Sequence, residues 1–308
     1  MRTSSAPIQH EAQVAGLAWS LWAELGVAGW TRNHSDFSID PEALVILTAW
    51  LWDRDPRLRD EATDWCIRYG RFVSAARLKN LLGSASWLDS PWWAEFAATI
   101  NANSRWQWPA GEARPRSFKP SQKSRIEDFT RPSLIALRVR ALAGVGARAE
   151  ILGLLASEQR DVAVAEVAAR IGYSKRNAAE ALDSLEMAGL LSSSRIRNRL
   201  EYSIVDRARL STLIDPKPRW TPSWVPIVTV ITRLVEFLRR AEDLSDAVAS
   251  VESVSFVRNL DDEFRWWSIS PPQLVMVDDA YSVLVHWAAD LFAGLEVGEP
   301  ATVVGRQA

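Results

Sequence analysis

Residues 146–206, GARAEILGLLASEQRDVAVAEVAARIGYSKRNAAEALDSLEMAGLLSSSRIRNRLEYSIVD, carry the most informative pattern in the chain. Ile151, Leu154 and Leu155 mark a first helix. Val164, Val167, Ala168 and Ile171 mark a second, which closes at Gly172, the residue type suited to the left-handed turn past a helix end. Ser174 is placed to cap a third helix, because its hydroxyl oxygen can accept from a free N–H of the first turn. The inward positions of that helix, Ala178, Leu182, Leu185 and Ala188, follow a 3.6-residue period and end at Gly189. Its other face carries Lys175, Arg176, Asn177, Glu180, Asp183 and Ser184, with the basic and amide groups at the start. Leu190 to Ser193 and Leu200 to Val205 can then pair as strands across the basic turn Arg195, Arg197, Asn198 and Arg199.

This succession resembles the winged helix-turn-helix of the ArsR or MarR type of bacterial transcriptional regulator, over about 60 of the 308 residues. The resemblance implies that the third helix enters the major groove of double-stranded DNA while the hairpin wing follows the backbone or minor groove. Carried over residue by residue, it makes Ser174, Lys175, Arg176 and Asn177 candidates to reach base edges or phosphates, and Arg195, Arg197, Asn198 and Arg199 candidate wing contacts. The chemistry suits those roles. Arginine can bond guanine through two hydrogen bonds, asparagine can do the same to adenine, and phosphate contacts supply most of the affinity. The third helix departs from its more basic relatives at Ala178, Ala179 and Glu180, and residues 146–215 hold ten basic and ten acidic side chains. Much of the electrostatic attraction to DNA is then expected from the wing and from the basic arm at 109–125.

Outward from the segment, charge is unevenly spread. Residues 1–104 hold nine basic and twelve acidic side chains, 105–220 hold 21 and 13, and 221–308 hold 6 and 13. A basic middle between acidic flanks directs any polyanion to the middle. Tryptophan is skewed too, with 11 of 16 in the first 108 residues. These shifts divide the chain into a Trp-rich helical domain (1–108), a basic linker or arm (109–128), the winged helix-turn-helix with a leading helix (129–215) and an acidic helical region (216–308). The expected fold class is mostly α: a central winged helix-turn-helix, helical with a small β hairpin, between all-helical N- and C-terminal regions.

In the first region, Asp40-Pro41, Asp55-Pro56 and Ser90-Pro91 read as helix starts, each a capping side chain before a proline suited to the first turn. Leu44, Leu47, Leu51 and Ala62, Trp65, Tyr69 supply apolar stripes at helical spacing. The arm, with Arg114, Arg116, Lys119 and Lys123 among prolines, reads equally as a solvated linker or as a polyanion contact. Leu134, Leu137, Val139 and Leu142 restore a helical period before Gly144. Thr221-Pro222 and Ser270-Pro271 signal helices over 223–241 and 272–295, both able to pair with a second subunit, and VESVSFV at 251–257 alternates like a short strand. The last ten or so residues look frayed. Most tryptophans read as core, but Trp92-Trp93 and Trp266-Trp267 cannot both face one core, so one of each pair is expected at an interface.

Catalytic machinery is not expected. Cys66 is the only cysteine, and three scattered histidines leave little for a metal, so no cofactor is expected either. His34, Asp36 and Asp40 have acid–base chemistry available but read more simply as a polar loop before a helix. No stretch of 18 apolar residues and no signal-type leader is visible, which gives the expectation of a cytoplasmic protein with no membrane partner. The expected function is a sequence-dependent transcriptional regulator, a repressor, acting as a homodimer on double-stranded DNA. The alternative is an antitoxin-like or defence-system protein whose protein partner is primary and whose DNA binding is autoregulatory.

Overall fold

Asp40-Pro41, Asp55-Pro56 and Ser90-Pro91 all open helices in the computed structural model, which describes residues 6–157, 160–196, 199–265, 270–274, 276 and 278–299. Helix α1 covers Ala6–Glu24. α2 (Pro41–Trp50) begins with the Asp40 carboxylate accepting from the Glu42 and Ala43 N–H groups, and α3 (Pro56–Tyr69) with Asp55 accepting from that of Leu58. Ser74 caps α4 (Ala75–Ser84), whereas α5 (Pro91–Asn103) starts without a side-chain bond from Ser90. Most tryptophans here are buried or half-buried, with Trp30 exposed, and the deepest satisfy their single donor: Trp22 donates to Thr48 Oγ1 at 2.7 Å, Trp65 to Leu25 O at 2.8 Å and Trp93 to Pro109 O at 2.7 Å. Trp93 is buried, while its neighbour Trp92 is half-buried with its ring edge to Trp87. Trp266 and Trp267 lie outside the described residues.

The central segment contains α6 (Ile135–Ala143), α7 (Ala147–Ser157), β1 (Val162–Ala163), α8 (Val164–Ile171), α9 (Lys175–Met187), β2 (Leu191–Ile196), β3 (Arg199–Ile204) and α10 (Arg207–Ile214). The sheet has the order β1-β3-β2 with antiparallel pairs, so the wing is a hairpin plus the two-residue strand β1 entering α8. Four helices follow: α11 (Trp224–Ala241), α12 (Asp246–Arg258), α13 (Asp261–Arg265) and α14 (Ala280–Val297). The chain is thus mostly helical around a winged helix-turn-helix, as its pattern implies.

Several local expectations are overturned. Residues 251–257 are helical within α12, where Ser245 caps the first turn through the Val248 N–H and Ala249, Ser250 and Ser253 are buried. No described strand lies beside them, so the alternation could not be used. The last long helix starts at Ala280 rather than near 272. Pro272 disfavours a helical conformation at Pro271 before it, which fits the absence of helix at residues 270–274. Leu142 and Ala188 are exposed, and Ala181 takes the inward place on α9.

The buried apolar residues cross the compositional boundaries. One cluster joins α1 to α5 with α11, α12 and α14, plus Leu134 and Leu137 beside and within α6. A second runs from Ile135 to Ile214 and fills the winged helix-turn-helix. Polar bonds reinforce the first: Trp50 Nε1 donates to Glu236 Oε1 at 2.8 Å and Trp224 Nε1 to Ser38 O at 2.6 Å. α11 packs on α1 and α2, and α14 on α1 and α12, so the helices expected to meet a second subunit are largely used within the chain.

Candidate nucleic-acid interface

α8 ends as its sequence requires. Gly172 adopts φ +70° and its N–H bonds to Ala168 O, closing the helix in the left-handed conformation glycine tolerates. Ser174 Oγ accepts from the Asn177 N–H at 3.2 Å and starts α9. Ala178, Ala181, Leu182 and Leu185 point into the second cluster. Ser174, Lys175, Arg176 and Asn177 therefore share the cap and first turn, and all four are exposed. The structure brings this group together.

The acidic residues of α9 have local partners. Arg176 Nε lies 2.8 Å from Glu180 Oε1, with both side chains largely in water, where such a pair is readily exchanged for another contact. Asp183 accepts from the Tyr202 hydroxyl at 2.6 Å, and Glu186 Oε1 from the Ser193 N–H at 2.8 Å. These two carboxylates hold the wing against α9.

The wing arginines are not one group. Arg195 pairs with Leu200, and Ile196 with Arg199. Residues directly opposite share a face and successive residues alternate, so Arg195 stands on the face of Ser193 and Tyr202, toward α9, while Arg199 stands on the other face. Both are exposed. Arg197 and Asn198 lie outside the described residues.

A feature that the sequence pattern did not disclose sits beneath the turn. Arg77, on α4, donates from Nε to Ile171 O at 2.7 Å, at the carbonyl end of α8 where a cation is favoured. Asn80 Nδ2 donates to Gly172 O at 3.3 Å and the Tyr173 hydroxyl to Ser74 Oγ at 2.8 Å. A Cβ on Gly172 would come within 2.7 Å of Leu81 Cδ2. The turn is thus docked on the N-terminal bundle.

Arg77 in turn belongs to a buried ionic cluster. Its two terminal nitrogens lie 2.6 Å from the two Asp40 oxygens, and NH1 also lies 2.6 Å from Glu42 Oε2. Arg140 of α6 grips both Glu42 oxygens at 2.9 and 2.7 Å and reaches Glu150 of α7. Burial works against the Asp40 charge, but the Arg77 guanidinium outweighs it and holds the carboxyl down at about 2. Glu150 is pushed up, chiefly by burial. Asp40 is therefore an ion-pair and capping residue, while His34 is buried elsewhere between Ser20 and Leu295, so they form no joint acid–base site.

A helix-turn-helix with an exposed third helix, backed by a three-stranded antiparallel wing, defines the winged helix-turn-helix class of DNA-binding module. Residues 149–195 match the IclR helix-turn-helix domain, the DNA-binding unit of a family of transcriptional regulators. The match supports the winged helix-turn-helix resemblance without supporting the ArsR or MarR subtype. No curated protein and no solved structure matches the chain. No helix among the described residues is long and apolar enough to cross a membrane.

Sequence reasoning missed Arg77, Asn80 and Ser74 because they lie about a hundred residues from the turn they hold. The one local signal was Tyr173, an aromatic residue directly after a helix-ending glycine, buried against the second cluster.

Proposed function

We propose that the chain is a sequence-dependent transcriptional regulator, a repressor, which places the start of α9 in the major groove. Lys175, Arg176 and Asn177 read or position bases, and Ser174 supports them as the helix cap. Arg195, Arg197, Asn198 and Arg199 supply wing contacts, with Arg195 on the α9 side. The observation that carries this reading is the exposure of Ser174 to Asn177 together on one helix start, beside the wing. Its regions act in two parts: 129–215 meets DNA, and the helices on either side, joined by a common core, set its position and meet any effector or protein partner.

The test is a gel shift with the chain's own upstream region. Binding at about 50 mM salt that weakens steeply as salt rises supports the reading, because displaced counterions drive phosphate binding. Absence of binding at that salt would remove it. A homodimer is proposed because two half-sites about one DNA turn apart need two recognition helices. Light scattering showing a monomer with full DNA affinity contradicts that part. The antitoxin-like alternative draws on the acidic C-terminal region and is favoured if a partner encoded by an adjacent gene co-purifies and is neutralised.

A further inference from the structure

We infer that the N-terminal bundle carries a second DNA contact, a basic face of Arg68, Arg71, Arg105, Lys123 and Arg125 that grips phosphates outside the reach of α9 and the wing. The inference rests on the DNA-binding reading above. It starts from the arm, whose sequence fits a free linker as well as a polyanion contact. In the structure the arm is strapped down. The Gln122 and Ser124 N–H groups donate to the two Asp64 oxygens at 2.7 and 3.4 Å, the Ile126 N–H to the Tyr69 hydroxyl at 3.2 Å, and the Arg125 N–H to Gly26 O at 2.8 Å. Gly26 permits this approach: at φ +93°, a Cβ there would lie 2.1 Å from Arg125 O. A chain held at so many points is a fixed surface, with its charges ordered before any partner arrives.

The strap gathers cations from three parts of the chain. Arg68 of α3 donates to Gln122 O at 3.1 Å and to Ser124 O at 3.0 Å, setting Lys123 between its two acceptors. Trp106 donates to Ile67 O at 3.0 Å and lies within 2.6 Å of where a Gly70 Cβ would be. That brings Arg105, stacked 4.7 Å from the Trp106 ring, beside Arg68 and Arg71. All five cations are exposed. Among the described residues none of them is in an ion pair. Asp64, which anchors the strap, is buried and occupied by backbone N–H groups, and the exposed Glu127 and Asp128 follow Arg125 at the end of the arm. Glu112 is the single acidic residue between 105 and 125.

The position favours duplex DNA over other phosphate surfaces. Arg71 lies three residues before Ser74, whose hydroxyl accepts from Tyr173, the residue preceding the recognition-helix cap. Three residues span at most about 11 Å, so the basic face begins close to the start of α9. The acidic C-terminal helices pack instead on α1, α2 and one another. A duplex seated on the start of α9 therefore passes within reach of the strap face.

The experiment is a salt titration of the full chain on a random-sequence duplex of about 30 base pairs, long enough for both contacts at about 10 base pairs per turn. The variant Arg71→Ala/Lys123→Ala/Arg125→Ala removes three side chains and leaves Arg68 to hold the strap. Each lost phosphate contact flattens the log–log salt dependence by about 0.9, so the expected slope is shallower by about 2 to 3. The charge-keeping variant Arg71→Lys/Lys123→Arg/Arg125→Lys, with the same melting temperature, is expected to retain the slope. An unchanged slope in the alanine variant would overturn the inference. If the unsubstituted chain fails to bind duplex at all, the DNA-binding reading itself falls, a separate and recognisable result.

Discussion

His34 shows how one residue ties distant parts of the chain together. Its Nε2 faces Leu295 O at 2.8 Å, a group that can only accept, so Nε2 carries the proton and Nδ1 accepts from the Ser20 hydroxyl at 2.8 Å. Ser20 Oγ accepts in turn from the Asn33 N–H. The ring is buried against Phe37, and burial lowers its proton affinity despite the carbonyl. The folded state then binds fewer protons at this site than the unfolded state as pH falls below 6.5, so stability declines through that window. Urea midpoints between pH 7.5 and about 5 are expected to fall for the unsubstituted chain and to flatten for His34→Asn. Equal slopes would contradict the assignment. At the DNA face, Arg176→Ala is expected to relax base preference by about tenfold to a hundredfold if Arg176 bonds a base, whereas Arg197→Ala weakens all sequences alike and flattens the salt slope. Competition binding with mutated sites separates the two, and identical effects would deny the division of roles.

At the scale of elements, the helix-turn-helix is set by its own sequence and by what lies under it. Gly172 and Gly189 end α8 and α9 at φ +70° and +73°, but only Gly172 faces another element. Replacing either by alanine costs about 1–2 kcal/mol for the left-handed backbone. Gly172→Ala must also displace Leu81, so it is expected to cost more than Gly189→Ala and to weaken DNA binding. Denaturation and anisotropy on both variants decide this, and equal costs would mean that the turn is not docked. Arg77→Met leaves Asp40 and Glu42 with a lost partner inside the protein and is expected to destabilise by about 3–5 kcal/mol. The local half of this geometry is legible in the sequence, because Gly172, Ser174 and the spacing of Leu182 and Leu185 act within a few residues. The strand β1 is too short to show a period. Arg77 reads as an ordinary helix residue until folding brings it to Ile171.

For the whole molecule, the common core of the first and last regions has a direct consequence. α11 supplies Ile227, Ile231, Leu234 and Leu238 to the cluster that holds Trp22, Trp50 and Trp65. A chain ending at residue 215 is therefore expected to lose the cooperative melting of the bundle, and retention of the full-length transition would contradict the shared core. Composition could not reveal this, since the Trp-rich and acidic regions differ in content while their buried faces meet. The charge layout was legible, and the strap's attachment to Asp64 and Gly26 was not, because each bond spans tens of residues. The most direct test of the account is the affinity of the full chain for its own upstream duplex, measured against salt with and without Lys175→Ala/Arg176→Ala. The account predicts binding at about 50 mM salt that falls steeply as salt rises and is reduced by the substitution. No binding at that salt, or binding indifferent to those two residues, would contradict it.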